Sequence, residues 1–158
     1  MSTAAMSAEA LAQQFSEVSA ALIDTAERCS PEQWQKATDS ERWPVAVVAH
    51  HITEGEQFFS GVLTGAIPDA ELTSAFVDEN NARHAKEHAN ADQAETVAAL
   101  RANGAALGRV IGSLSDADLQ APVMRFDGQQ LTREQVVQFA VINHLQEHLA
   151  SIRETSGE

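Results

Sequence analysis

The chain has 158 residues, 44% hydrophobic and 21% charged, which is a globular composition with enough length to bury a core. Ten Lys and Arg against 23 Asp and Glu give a net charge of −13, a field that repels phosphate backbones and anionic lipid and argues against nucleic-acid partners. No apolar run approaches the ~18–20 residues that span a bilayer, the start MSTAAMSAEALAQQF lacks the basic and apolar segments of a signal peptide, and Cys29, the single cysteine, cannot form an internal disulfide; no membrane partner and a cytoplasmic location are expected.

Helical periodicity runs through most of the chain. Ser7 is placed to cap a helix reaching about Arg28, with Leu11, Phe15, Val18, Leu22 and Ile23 on an apolar stripe. Pro31 in SPEQW suits a first helical position, so a short turn follows. A second long helix is expected from near Pro44 to Gly65, then a polar loop with Pro68. Residues 74–88 form an alanine-rich, weakly amphipathic stretch. Asn90 or Asp92 opens a further helix carrying Val97, Leu100, Leu107, Ile111 and Leu114. After SDADLQAPV comes an irregular segment with the turn signal Asp127-Gly128, and Thr132 with Gln135 makes the capping-box pattern of a last helix over about 133–154. With no repeat or linker, residues 1–158 read as one all-α domain, a four-helix bundle with short extra helical turns.

Two of these helices place histidine on an apolar face. In the last helix Val137, Ala140, Val141, His144, Leu145, His148 and Ile152 share a stripe; in the second, Val47, Val48, His51, Ile52, Phe59 and Val62 do. His50 lies a step away from that stripe. The spacing leaves two readings open. The three imidazoles are core-flanking side chains, each hydrogen-bonded to something, or they hold a divalent metal with one coordination position left open, as in catalytic sites. His84 and His88 have the same spacing, but their polar neighbours suggest a solvated face. HLQEH also fits an inverted zinc-protease pattern, with Glu147 as base, but only ten residues follow His148 and the further ligand of that pattern has no place.

WPVAVVAHHITEGEQFF, VINHLQEHLASIRE and the intervening VDENNARHAKEHANADQAETVAALRANGAALGRVIGSLSDADL together resemble the DinB-like superfamily, closest to the N-terminal domain of mycothiol-dependent maleylpyruvate isomerase. The resemblance implies a DinB-like four-helix bundle, often a homodimer, with a metal triad of His51, His144 and His148 holding zinc or nickel. It also implies a transferase acting on a small-molecule electrophile with a low-molecular-weight thiol such as mycothiol or bacillithiol. The isomerase's extra C-terminal domain is absent from these residues, which favours a simpler transferase over isomerisation. The alternative is a non-catalytic metal- or ligand-binding module. One metal per chain is expected, with His50, His84 and His88 outside it. Glu54 and Glu147 read as surface carboxylates that could orient a ring, Asn81 and Arg153 as candidates for the pocket mouth, Trp34 and Trp43 as packing residues, and Cys29 as a buried spectator.

Overall fold

Ser7 is extended, and its hydroxyl accepts the backbone N–H of Ala10 at 3.1 Å, so α1 (Ala8–Arg28) starts where the sequence offers a cap. The computed structural model describes residues 6–157; the first five residues of the segment compared with a signal peptide lie outside them. Ser30 and Gln33 close a capping box over α2 (Pro31–Gln35), with Pro31 in its first turn. Then come α3 (Val45–Thr64), ended by Gly65 at φ 83°, and α5 (Gln93–Gly112), capped by Asp92. The last helix opens on the Thr132/Gln135 capping box as α7 (Arg133–Gln135), widens into a π-helical stretch over Val136–Asn143 and continues as α8 (His144–Ser156).

These four long helices enclose the core. α5 packs against both α1 and α3, while α8 reaches α1 and α3 from the other side. Leu11, Phe15 and Leu22 of α1, Leu100, Leu107 and Ile111 of α5, and Ile142 and Ile152 of the last helix are wholly buried. Each stabilises the fold by roughly 1.5–3 kcal/mol relative to exposure. α3 is buried almost all round from Val45 to Ala49, so it is the central helix and has two neighbours to offer side chains to.

The sequence reading missed a small sheet. β1 (Ala70–Leu72) runs parallel to β2 (Pro122–Phe126), which pairs antiparallel with β3 (Gln129–Thr132). Asp127 and Gly128, at φ 48° and 79°, make the two-residue hairpin turn that requires left-handed backbone. Three short strands carry too few residues to show an alternating pattern, and their pairing joins segments ~50 residues apart. The sheet covers one end of the bundle and starts α4 (Ser74–Glu87), because the Asp127 carboxylate accepts the Ser74 N–H at 2.8 Å. The fold remains all-α in its core, with α2, α6 (Asp116–Gln120) and this sheet as additions.

Candidate metal centre

His51, on α3, points toward α8, where His144 and His148 stand one turn apart. One ligand-capable atom from each lies within 4.8 Å of the others. The Nε2 atoms of His144 and His148 are 2.9 Å apart, and the His51 ring stands edge-on to both, at centroid distances of 5.8 and 5.4 Å. The triad runs from the interior to the surface: His148 is buried, His51 half-buried and His144 exposed. His144 was expected on the buried stripe. It opens α8 one turn before the buried His148 and marks the exposed edge of the face they share; the π segment before it shifts only Val137, Ala140 and Val141 relative to the two.

Glu41 fixes the orientation of His148. His148 Nδ1 donates to Glu41 Oε1 at 2.9 Å, which leaves the Nε2 lone pair facing His144. Glu41 comes from the loop before α3, held shut by the Thr38 N–H to Trp43 carbonyl bond of 2.8 Å and the Val45 N–H to Lys36 carbonyl bond of 3.0 Å. Arg42 turns this loop through φ 61°, a conformation that side chains with Cβ adopt rarely. Burial works against the Glu41 charge, but hydrogen bonds from His148, Ser151 and Thr38 prevail and bring its pKa down to about 2.

The electrostatics favour neutral rings at His51 and His144. Burial, then the nearness of His148, His144 and His84, lowers His51 to about 3, against a smaller opposing effect of Glu41. Burial and His148 lower His144 to about 4, again opposed by Glu41. Neutral imidazole is the form that binds metal, and a ligating histidine whose second nitrogen donates to a carboxylate is a recurrent arrangement. The donor set therefore fits a divalent ion. The protein would contribute three nitrogens, and the exposed His144 edge leaves the remaining side open.

The family model described as the DinB superfamily matches residues 14–152, from within α1 to within α8 and across all three histidines. The chain belongs to the DinB superfamily. No curated protein and no solved structure matches it.

Within this superfamily fold, the other residues singled out by sequence fall as follows. Glu54 is directed at His84 and His88, not at the triad, and Glu147 is exposed. Asn81 is half-buried on α4, and Arg153 is exposed on α8. Trp34 seals the bundle end, its Nε1 donating to the Ala91 carbonyl at 2.9 Å, whereas Trp43 stands edge-on to the His51 ring at 5.7 Å and so borders the triad. Cys29 is 6% exposed, and its thiol donates to the Thr25 carbonyl at 3.4 Å. His84 does not lie on a solvated face: it is 3% exposed and sits against His50 and His51. Glu41 was the residue sequence reasoning missed. It belongs to no helical face, and the left-handed turn at Arg42 that aims it has no glycine to mark it.

Proposed function

We propose that the protein is a metal-dependent transferase that joins a low-molecular-weight thiol of the mycothiol or bacillithiol type to a small electrophile. In this reading His51, His144 and His148 hold one zinc or nickel ion. The observation that carries it is three imidazoles converging at the edge of the bundle, one of them exposed, with a carboxylate fixing the innermost. When bound, such an ion holds a thiol sulfur as thiolate near neutral pH. The chain's own residues do the rest. Glu41 keeps the proton of His148 on Nδ1, so that Nε2 stays available. Trp43 shields the His51 ring, and the exposed edge at His144 admits the thiol and its partner. The resemblance to the N-terminal domain of the maleylpyruvate isomerase supports the choice of thiol. Residues 1–158 acting as one domain, a homodimer and a cytosolic location belong to the same proposal. Phe139, 60% exposed on the π segment, is a side chain that a dimer interface would cover.

A second reading, a non-catalytic metal- or ligand-binding module, is favoured by one feature: the carboxylate at the triad is fully engaged by His148, Ser151 and Thr38, leaving no spare base there. The deciding experiment measures turnover of model electrophiles by the metal-loaded protein with mycothiol, bacillithiol, coenzyme A and glutathione. The transferase reading expects conjugation with one of these thiols and its loss in His148→Ala. Full metal occupancy without turnover on any thiol establishes the module instead.

A further inference from the structure

A second group of donors gathers on the other side of α3. His50 and Glu54, one turn apart on α3, meet His84 and His88, one turn apart on α4, and one ligand-capable atom of each lies within 4.8 Å of the others. His50 Nδ1 and His84 Nε2 are 2.8 Å apart, Glu54 Oε2 is 3.4 Å from His84 Nε2, and Glu54 Oε1 is 3.5 Å from His88 Nε2.

The His50–His84 contact is of hydrogen-bond length, but hydrogen bonding does not account for the carboxylate or for the rest of the His84 ring. A charge-assisted N–H···O bond is ~2.7–2.9 Å long, so the carboxylate is not closed onto either imidazole as an ion pair. His84 Nε2 faces both His50 and Glu54, and a single ring N–H satisfies only one of them well. Its other nitrogen, Nδ1, is buried with no hydrogen-bond partner among the described residues, in a ring only 3% exposed. The two carboxylate spacings, one from each Glu54 oxygen, lie near the ~3.3 Å edge of a tetrahedron whose corners are ~2.0–2.1 Å from a zinc-sized ion, and the 2.8 Å His50–His84 pair would open toward that distance around an ion.

We infer that His50, Glu54, His84 and His88 form a second divalent-metal site, independent of the triad and suited to a borderline cation such as zinc, nickel or cobalt. Three imidazoles and one carboxylate are the donors such cations select. Four protein ligands also fill a tetrahedral shell, which makes this a closed, structural centre where the triad is an open one.

Its task follows from α4. This helix is polar, its buried side chain is His84, and its Phe76 is 52% exposed. A 14-residue helix with so little apolar surface to bury has little to hold it in place. Two ligands from α4 and two from α3 clip it onto the central helix. A cleft of about 390 Å³ lined by His50, His88 and Glu87 gives the ion a way in. The His51 and His84 rings meet edge-to-face at 5.6 Å, so the two centres are neighbours.

The test loads metal-stripped protein with Co²⁺ and measures cobalt per chain by elemental analysis and visible absorption. Circular dichroism checks that each variant is folded, and amide hydrogen exchange follows residues 74–87. Wild type is expected to bind two ions, Glu54→Gln/His88→Ala one, and His144→Ala/His148→Ala one. Exchange protection of residues 74–87 should be lost on metal removal and in Glu54→Gln/His88→Ala, but kept in the loaded His144→Ala/His148→Ala. One ion in wild type, retained in Glu54→Gln/His88→Ala and lost from the other variant, overturns the second site and leaves the triad standing. The mirror-image result upholds the second site and overturns the triad. Two ions with residues 74–87 equally protected before and after metal removal overturns the clip.

Discussion

Glu41 and His148, 107 residues apart in sequence, share a 2.9 Å hydrogen bond that sets which nitrogen of His148 is free. The bond ties the loop before α3 to α8 and transmits the position of Arg42's left-handed turn to the innermost imidazole of the triad.

Glu41→Gln keeps the shape and removes the charge. Affinity at the triad should fall roughly 10–100-fold, the usual cost of losing a carboxylate behind a ligating histidine. His148→Ala should abolish binding there. Competition against a chromophoric chelator, in a Glu54→Gln/His88→Ala background, reads the triad by itself. Unchanged affinity in Glu41→Gln would deny the carboxylate its orienting role.

Glu56 gives a pH dependence. It is 5% exposed on α3, its Oε1 is buried with no hydrogen-bond partner among the described residues, and burial raises its pKa from 4.5 to about 8. Between these values the folded protein holds a proton that the unfolded chain has released. Stability from this group is therefore full below about pH 4.5 and is lost as pH rises through about 8, on the order of a few kcal/mol in all. Glu56→Gln does not titrate, so its urea midpoint should gain on wild type between about pH 5 and 8 and level off above that. Parallel curves for the two proteins would contradict this.

Gly104 lets α5 approach α1 and α3. A Cβ there would stand 2.8 Å from Ser19 Oγ and 3.2 Å from Glu56 Oε2. Gly104→Ala should cost ~1–3 kcal/mol despite alanine's better helix propensity. Adding Ser19→Ala removes the nearer atom and should recover part of that loss in chemical denaturation. A stabilised Gly104→Ala would mean that α1 yields freely at Ser19.

Cys29 is a packing residue in the transferase reading, so the reacting sulfur belongs to the thiol cofactor. Cys29→Ala should cost at most about 1 kcal/mol of stability and leave metal content and conjugation rate nearly intact. Loss of conjugation with metal retained would move the nucleophile to the protein.

The four long helices were legible because their signals are local. Ser7, Asp92 and the Thr132/Gln135 pair cap where they stand in the chain, and the spacing of Leu11, Phe15 and Leu22 needs only the period of a helix. The same period put His51, His144 and His148 forward, and the fold brings them within 4.8 Å. The spacing rule also placed His144 in the interior, because a helical period gives the face that residues share and not how near its edge lies to solvent.

Sequence by itself thus determined the helices, their ends, the acidic surface and the three histidines that share helical faces, all properties of residues within a few positions of one another. Tertiary structure alone decided the rest. It brought Glu41 to His148 across 107 residues, turned His84 from a polar-looking stretch into a buried ring, and carried Glu54 to α4 instead of to the triad. The physical reason is the position of α3. This helix packs against both α8 and α4, so adjacent residues His50 and His51 enter different clusters. Which partners those clusters acquire depends on how distant segments pack, and no local period records that.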